Sequence, residues 1–226
     1  MAHAPDAEPR VGADRIRLAE STRALIEAVA AVEAPDTHDD THGRNGGDPT
    51  LAAAADAIDA VTTSLRARAT SSASARYRAE RRYGDYLPRS LLVGRAHPIS
   101  PGARFEFSDG VLDVRVTFGS AYEGPPGYVH GGIVALAFDE LFGMVTVLNG
   151  QGGLTGRLSV RYRKPTPLGQ ELRMTARIEH HEGRRMRTRG TIHAGDALTA
   201  EAEGLFVTLT PESAREYFGD EEPPRA

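Results

Sequence analysis

The run from Ile133 to Leu148 constrains this chain more than any other stretch. It is apolar at nearly every position, yet the adjacent acids Asp139 and Glu140 stand in its middle, with Thr146 as the other polar exception. The pattern predicts a helix from about Gly131 to Leu148, and a helix apolar almost all round has to be covered by protein. A bilayer is a poor cover, because the stretch is too short and too charged to span one. The fold must therefore supply a large apolar surface around this helix. It must also account for two acids in a setting where a carboxylate without partners loses its charge or costs stability.

The flanking sequence supplies such a surface. Ala103–Phe107 and Val111–Phe118 alternate apolar with polar residues, and Ser108-Asp109-Gly110 between them reads as a hairpin turn. A Gly/Pro loop from Gly119 to Gly127 leads into the helix, and strand-like segments follow at Leu154–Arg163, Glu171–Glu179, Arg185–His193 and Thr199–Leu209. In the second of these, Leu172, Met174, Ala176 and Ile178 alternate with Glu171, Arg173, Thr175 and Arg177, the pattern of a sheet with one covered face. Two strands, one apolar helix and four strands make an α+β protein. An antiparallel sheet wrapped around a central apolar helix is the hotdog fold, expected here over residues 85–210.

Residues 1–84 read as an N-terminal helical extension. Leu18, Leu25, Ile26, Val29 and Val32 recur at helical spacing up to Pro35, and Leu51, Ala54, Ile58, Val61 and Leu65 form a second amphipathic pattern with Thr50 as its expected N-cap. The polar, Gly-containing run between them is a linker. Neither helix can bury its stripe alone, so each has to pack on the other, on the main domain or on another subunit. The boundary falls near residue 85, and the acidic, Pro-rich residues 211–226 are expected to be a disordered tail.

Charge and cysteine usage exclude several classes. With a net charge of −4, and with five Arg against twelve Asp and Glu in residues 1–60, the chain has no general pull toward nucleic acid or an anionic membrane. The absence of cysteine removes thiolate and disulfide chemistry and fits a reducing compartment, so a cytoplasmic location is expected. The acids Asp6 and Glu8, and the lack of an apolar core before Ile16, do not match a secretory or transit leader. His38-Asp39-Asp40-Thr41-His42 holds metal-binding residue types but sits in a Gly-rich linker without supporting structure, so no metal and no cofactor are expected.

Asp139 is the leading candidate for chemistry, since perturbed carboxylates gather at functional sites. The plain alternative, weightier for Glu140, is an acid that faces solvent or pairs with an arginine. Gly131 and Gly132 open the helix, where backbone N–H groups and the positive helix end suit a developing oxyanion. Alone, His130-Gly131-Gly132 would be read as a tight turn with a hydrogen-bonded histidine.

The longer segment Gly127-Tyr-Val-His130-Gly131-Gly132-Ile-Val-Ala-Leu-Ala-Phe-Asp139-Glu140 resembles the signature of the PaaI-like and THEM4-like acyl-CoA thioesterases of the hotdog superfamily, with an acid nine positions after the histidine. Leu154-Thr155 through Tyr162-Arg163-Lys164-Pro165 to Gly169 resembles the central strand of the same family, with a Thr seven residues before the Tyr. The resemblance covers roughly Leu91 to Leu209.

That resemblance implies hydrolysis of an acyl-CoA thioester to acid and CoA. Asp139 would activate water or attack the thioester itself, the Gly131 amide with His130 would polarise the carbonyl, and Thr155 from a partner subunit would orient the water. Gly132 and Glu140 would line the substrate. Arg163, Lys164, Arg184 and Arg185 are candidates for the CoA phosphates, against the plain alternative of solvated charges at strand edges. It further implies a homodimer or a dimer-of-dimers tetramer, with the site between subunits. One departure stands out: some members carry an Asn six positions before the histidine, where this chain has Gly124. A non-catalytic acyl-CoA-binding sensor or scaffold is the main alternative. Enoyl-CoA hydration lacks the Asp and His arrangement that the hydratase relatives use.

Overall fold

The computed structural model describes residues 12–32, 48–68 and 90–218. The chain divides into two compact units, Met1–Ala31 with Glu80–Ala226, and Val32–Ala79. The first contains the helix α1 (Ala13–Ala30), strands β1 (Arg104–Ser108) and β2 (Val111–Thr117), a 3-10 turn (Ser120–Tyr122) and the helix α3 (Gly131–Leu148). It continues with β3 (Leu154–Tyr162), β4 (Glu171–Glu182), β5 (Arg185–Ala194), β6 (Ala197–Val207) and α4 (Pro211–Phe218). The second unit contains α2 (Pro49–Ala67). The boundary expected near residue 85 and the His38–His42 cluster lie outside the described residues.

The six strands form one antiparallel sheet in the order β1-β2-β4-β5-β6-β3. The first hairpin turns at Asp109 and Gly110, both at positive φ (52° and 76°), the twist that a two-residue hairpin turn needs. α3 lies across one face of the sheet. Its Val134, Ala137, Phe138, Leu141, Phe142, Met144 and Val145 are buried together with Leu112, Val114, Leu172, Met174, Met186, Ile192, Ala200 and Ala202 from the sheet's inner face. The helix is held to the sheet on one side only. Gly132 and Asp139 are exposed on the other, so the full enclosure expected from its composition is not reached within one chain.

Phe142 shows how close the approach is. Its ring rests on the backbone of β5 and β6, where a Cβ at Gly190 would come within 2.9 Å of Phe142 Cε1 and one at Gly204 within 2.7 Å of Phe142 Cδ2. The two glycines hollow the sheet so that a phenylalanine from the middle of α3 can seat.

α1 docks on the main domain, though not by its apolar stripe. Leu18, Leu25 and Val29 are exposed and Ile26 is half-buried, while Ala19 is buried. Arg23, four residues on, donates from Nη1 to the carbonyls of Arg95 (3.2 Å) and His97 (2.8 Å). Glu27, four further, accepts from the Ser120 hydroxyl at 2.7 Å. The domain offers α1 polar backbone groups and the bare Gly119, which a Cβ would block by meeting the Glu27 carboxylate. Residues at i, i+4 and i+8 answer those groups. α2 is capped by Asp48, whose carboxylate accepts from Thr50 N at 2.7 Å, rather than by Thr50, because Pro49 already fills the first helical position. Of the tail expected over residues 211–226, residues 219–226 lie outside the described residues. Residues 211–218 form α4, started by Thr210, whose hydroxyl oxygen accepts from Ser213 N at 3.1 Å.

Candidate active site

His130 is the N-cap of α3. Its Nδ1 accepts from the Gly132 backbone N–H at 3.0 Å, so that amide is spent within the cap and is not open to a ligand, contrary to the expectation for Gly132. Gly131, the first helical residue, keeps an N–H without a protein partner among the described residues, because the helical bonds begin with Ile133 and Val134 donating to the His130 carbonyl. The open donor at the positive helix end is thus Gly131. A second polar contact fixes this turn: the Tyr162 hydroxyl, from the end of β3, donates to the Gly131 carbonyl at 2.8 Å. Tyr162 received no role from sequence reasoning.

The loop before the helix folds back on itself and pins the histidine. Glu123 and Val129 form an antiparallel bridge, Gly124 N donates to the Tyr128 carbonyl, His130 N donates to the Tyr122 carbonyl, and the Glu123 carboxylate accepts from Gly127 N at 2.6 Å. This hairpin brings Gly124 against His130 so tightly that a Cβ there would lie 2.7 Å from His130 Cα and 3.2 Å from Cδ2. An Asn at position 124 has no room while His130 caps the helix as it does. The Gly124 departure and the His130 position are therefore one feature. Tyr122 anchors the loop from behind: its hydroxyl donates to the Ile99 carbonyl at 2.7 Å. Burial, aided by the Glu27 charge, pushes the phenol up to about 12, so it stays a donor at any physiological pH.

Asp139 lies further along α3, beside the opposite end of β3. Its Oδ1 accepts from the Thr155 hydroxyl at 2.8 Å, while Oδ2 has no hydrogen bond among the described residues. Two expectations are corrected here. Thr155 reaches Asp139 from the same chain and not from a second subunit, because β3 runs antiparallel alongside α3. In addition, Asp139 is exposed in the single chain and is not sequestered, since it stands on the uncovered side of the helix. Strict alternation would put Thr155 and Tyr162, seven residues apart, on opposite faces of β3. A bulge at Gly156 adds one residue between Thr155, opposite Phe206, and Arg157, opposite Leu205, and so turns both side chains toward α3.

Comparison with known proteins decides what kind of domain presents these groups. Residues 126–201, which hold the α3 N-terminus, Asp139, Thr155 and Tyr162, match the model of the thioesterase superfamily. That stretch is a thioesterase-superfamily domain. A crystal structure of a thioesterase superfamily protein is similar over 88% of this chain and 93% of its own, at a TM-score of 0.72 and 28% identity, so the likeness extends beyond the matched domain. Acyl-coenzyme A thioesterase THEM4 of Xenopus laevis is 38% identical over 95 residues, which are 41% of this chain and 43% of that protein. Acyl-coenzyme A thioesterase THEM5 of Homo sapiens is 32% identical over 93 residues, 40% of this chain and 38% of that protein. The chain thus covers less than half the length of these curated relatives.

Within the thioesterase domain, the other acid of the pair has a structural task. Glu140 Oε2 accepts from the hydroxyl of the fully buried Ser90 at 2.6 Å and from Leu91 N at 3.1 Å, and Ser90 Oγ accepts in turn from Leu92 N and Val93 N. Glu140 is therefore engaged in organising the segment that enters the domain. The candidate phosphate ligands also separate. Arg163 is committed to Glu201, whose carboxyl is held below its usual range chiefly by that hydrogen bond, and Arg184 Nε donates to the Thr208 carbonyl at 2.9 Å. Lys164 and Arg185 make neither an ion pair nor a side-chain hydrogen bond among the described residues, which leaves them as the two unengaged cations of the four. No group of three or more metal-ligating side chains occurs among the described residues.

Proposed function

We propose that the chain hydrolyses acyl-CoA thioesters, with Asp139 as general base. The observation that carries this reading is the Thr155 to Asp139 hydrogen bond: it fixes one carboxylate oxygen and leaves Oδ2 to take a proton from water. The water oxygen bonds to the thioester carbon while its proton passes to Asp139. The oxyanion so formed is stabilised by the Gly131 N–H and His130 at a positive helix end. On collapse the C–S bond breaks, and the CoA sulfur leaves and takes up the proton, giving the acid and free CoA. The similarity to the THEM4 and THEM5 acyl-CoA thioesterases supports the substrate class.

Helix geometry adds a requirement. Gly131 and Asp139 are eight residues apart, about 12 Å of helix rise. A carboxylate, one water and a carbonyl in successive contact reach about 9 Å, at roughly 3 Å per step. Even with the Asp139 side chain leaning toward the helix N-terminus, one thioester would need the whole of that reach to engage both groups of a single chain. The reading therefore includes a homo-oligomer in which Asp139 and Thr155 of one copy face Gly131 and His130 of another, which would also cover the open side of α3. A cytoplasmic location belongs to the same proposal and rests on the cysteine-free composition.

A thiol-release assay over a panel of short, medium, long and aromatic acyl-CoAs tests this. Turnover of at least one member is expected, and Thr155→Ala should lower kcat by about tenfold through the freed carboxylate. Tight binding without turnover of any member would instead favour the acyl-CoA-binding alternative.

A further inference from the structure

The peptide that joins Gly131 to Gly132 is gripped at both ends. Its carbonyl accepts from the Tyr162 hydroxyl at 2.8 Å, and its N–H donates to His130 Nδ1 at 3.0 Å. A ring nitrogen that accepts a hydrogen bond carries no proton, so in the neutral imidazole the proton sits on Nε2. The groups then form one directed series: Tyr162 O–H to carbonyl, amide N–H to Nδ1, and Nε2–H pointing on. In such a series each bond polarises the next. We propose that Tyr162 is a positioning residue that acts through the Gly131–Gly132 peptide to fix and polarise His130, making Nε2–H the second donor to the thioester oxygen beside Gly131 N–H.

This rests on the reading above that the start of α3 receives a thioester carbonyl. Two further features belong to the relay. A Cβ at Gly124 would lie 3.2 Å from His130 Cδ2, so the missing side chain there leaves the ring the place it takes as the helix cap. Tyr162 is itself 53% exposed, so its hydroxyl satisfies no deeply buried group. It also lies over Gly131, where a Cβ would stand 3.6 Å from its ring, which leaves room for contact without crowding. The hydroxyl thus contributes little to the core and is aimed at the one peptide that orients the histidine.

Tyr162→Phe keeps the ring and removes the first donor. In the full chain it should lower kcat about fivefold, the worth of one neutral hydrogen bond, with KM little changed. In a His130→Ser background, where a hydroxyl still caps the helix but no imidazole follows, the same change should cost less than about twofold. Nitrogen-15 spectra of the wild type should show His130 protonated on Nε2 alone, and Tyr162→Phe should shift the Gly132 amide proton upfield. An equal loss in both backgrounds, or an unmoved Gly132 amide, would overturn the proposal. If the wild type turns over no acyl-CoA, the hydrolase reading fails by itself and the spectra alone decide the relay: a shifted Gly132 amide supports it and an unshifted one rejects it.

Discussion

Asp139→Ala is expected to lower kcat for acyl-CoA hydrolysis by at least ~10²-fold, the usual loss when a positioned base is removed. The protein should remain folded. Asp139 is exposed and, among the described residues, bonds only to the exposed Thr155, so the truncation should cost no more than about 1 kcal/mol, measurable by urea titration. The neighbouring acid should behave in the opposite way. Glu140→Ala leaves the buried Ser90 hydroxyl and the Leu91 N–H without their acceptor, which should cost about 1–3 kcal/mol of stability while kcat stays near that of the wild type. Similar losses of turnover from both variants would mean that the two acids work as a unit.

The largest effect on stability should come from a position with no side chain. Gly204→Val drives a branched side chain into the ring of Phe142 and the Thr188 hydroxyl, neither of which can retreat, since both are buried between α3 and the sheet. Overpacking of this kind should cost about 2–4 kcal/mol. The expected fall in melting temperature, read by differential scanning calorimetry, is roughly 5–15 °C. A melting temperature unchanged by Gly204→Val would show that α3 does not seat on the sheet through Phe142.

Periodicity made most of the thioesterase domain readable in the sequence. The helix from Gly131 to Leu148 and the alternation of Leu172, Met174 and Ala176 with Glu171, Arg173 and Thr175 reflect burial on one side, and burial leaves a direct trace in residue type. What could not be read depends on residues that break a period or lack a side chain. The Gly156 bulge turns Thr155 to the helix face, and nothing in the local sequence separates that glycine from an ordinary one in a strand. Asp139 was preferred over Glu140, but the direction in which each acid points was not legible for the same reason. Adjacent positions on a helix differ by about 100° in direction, so one faces the entering segment and the other the open side, and only the packed partners Ser90 and Thr155 tell which. On α1 the apolar stripe does not mark the contacts made within one chain, which are backbone carbonyls answered by Arg23 and a bare glycine answered by Glu27. Polar docking of that kind has no hydrophobic period to read.

The central claim is that one reaction site draws its base from one copy and its carbonyl donors from another, and complementation measures it directly. Gly131→Pro removes the open N–H while suiting the first helical position, because His130 already has the extended ψ of 134° that a following proline requires. It should be nearly inactive, as should Asp139→Ala. When the two variants are co-expressed and isolated through separate tags as mixed oligomers, each mixed pair holds one site with both groups intact. Thiol release should then return to about half of the wild-type rate per pair in a two-fold symmetric arrangement. Mixed pairs as inactive as their parents would contradict the claim and place both groups on the same chain.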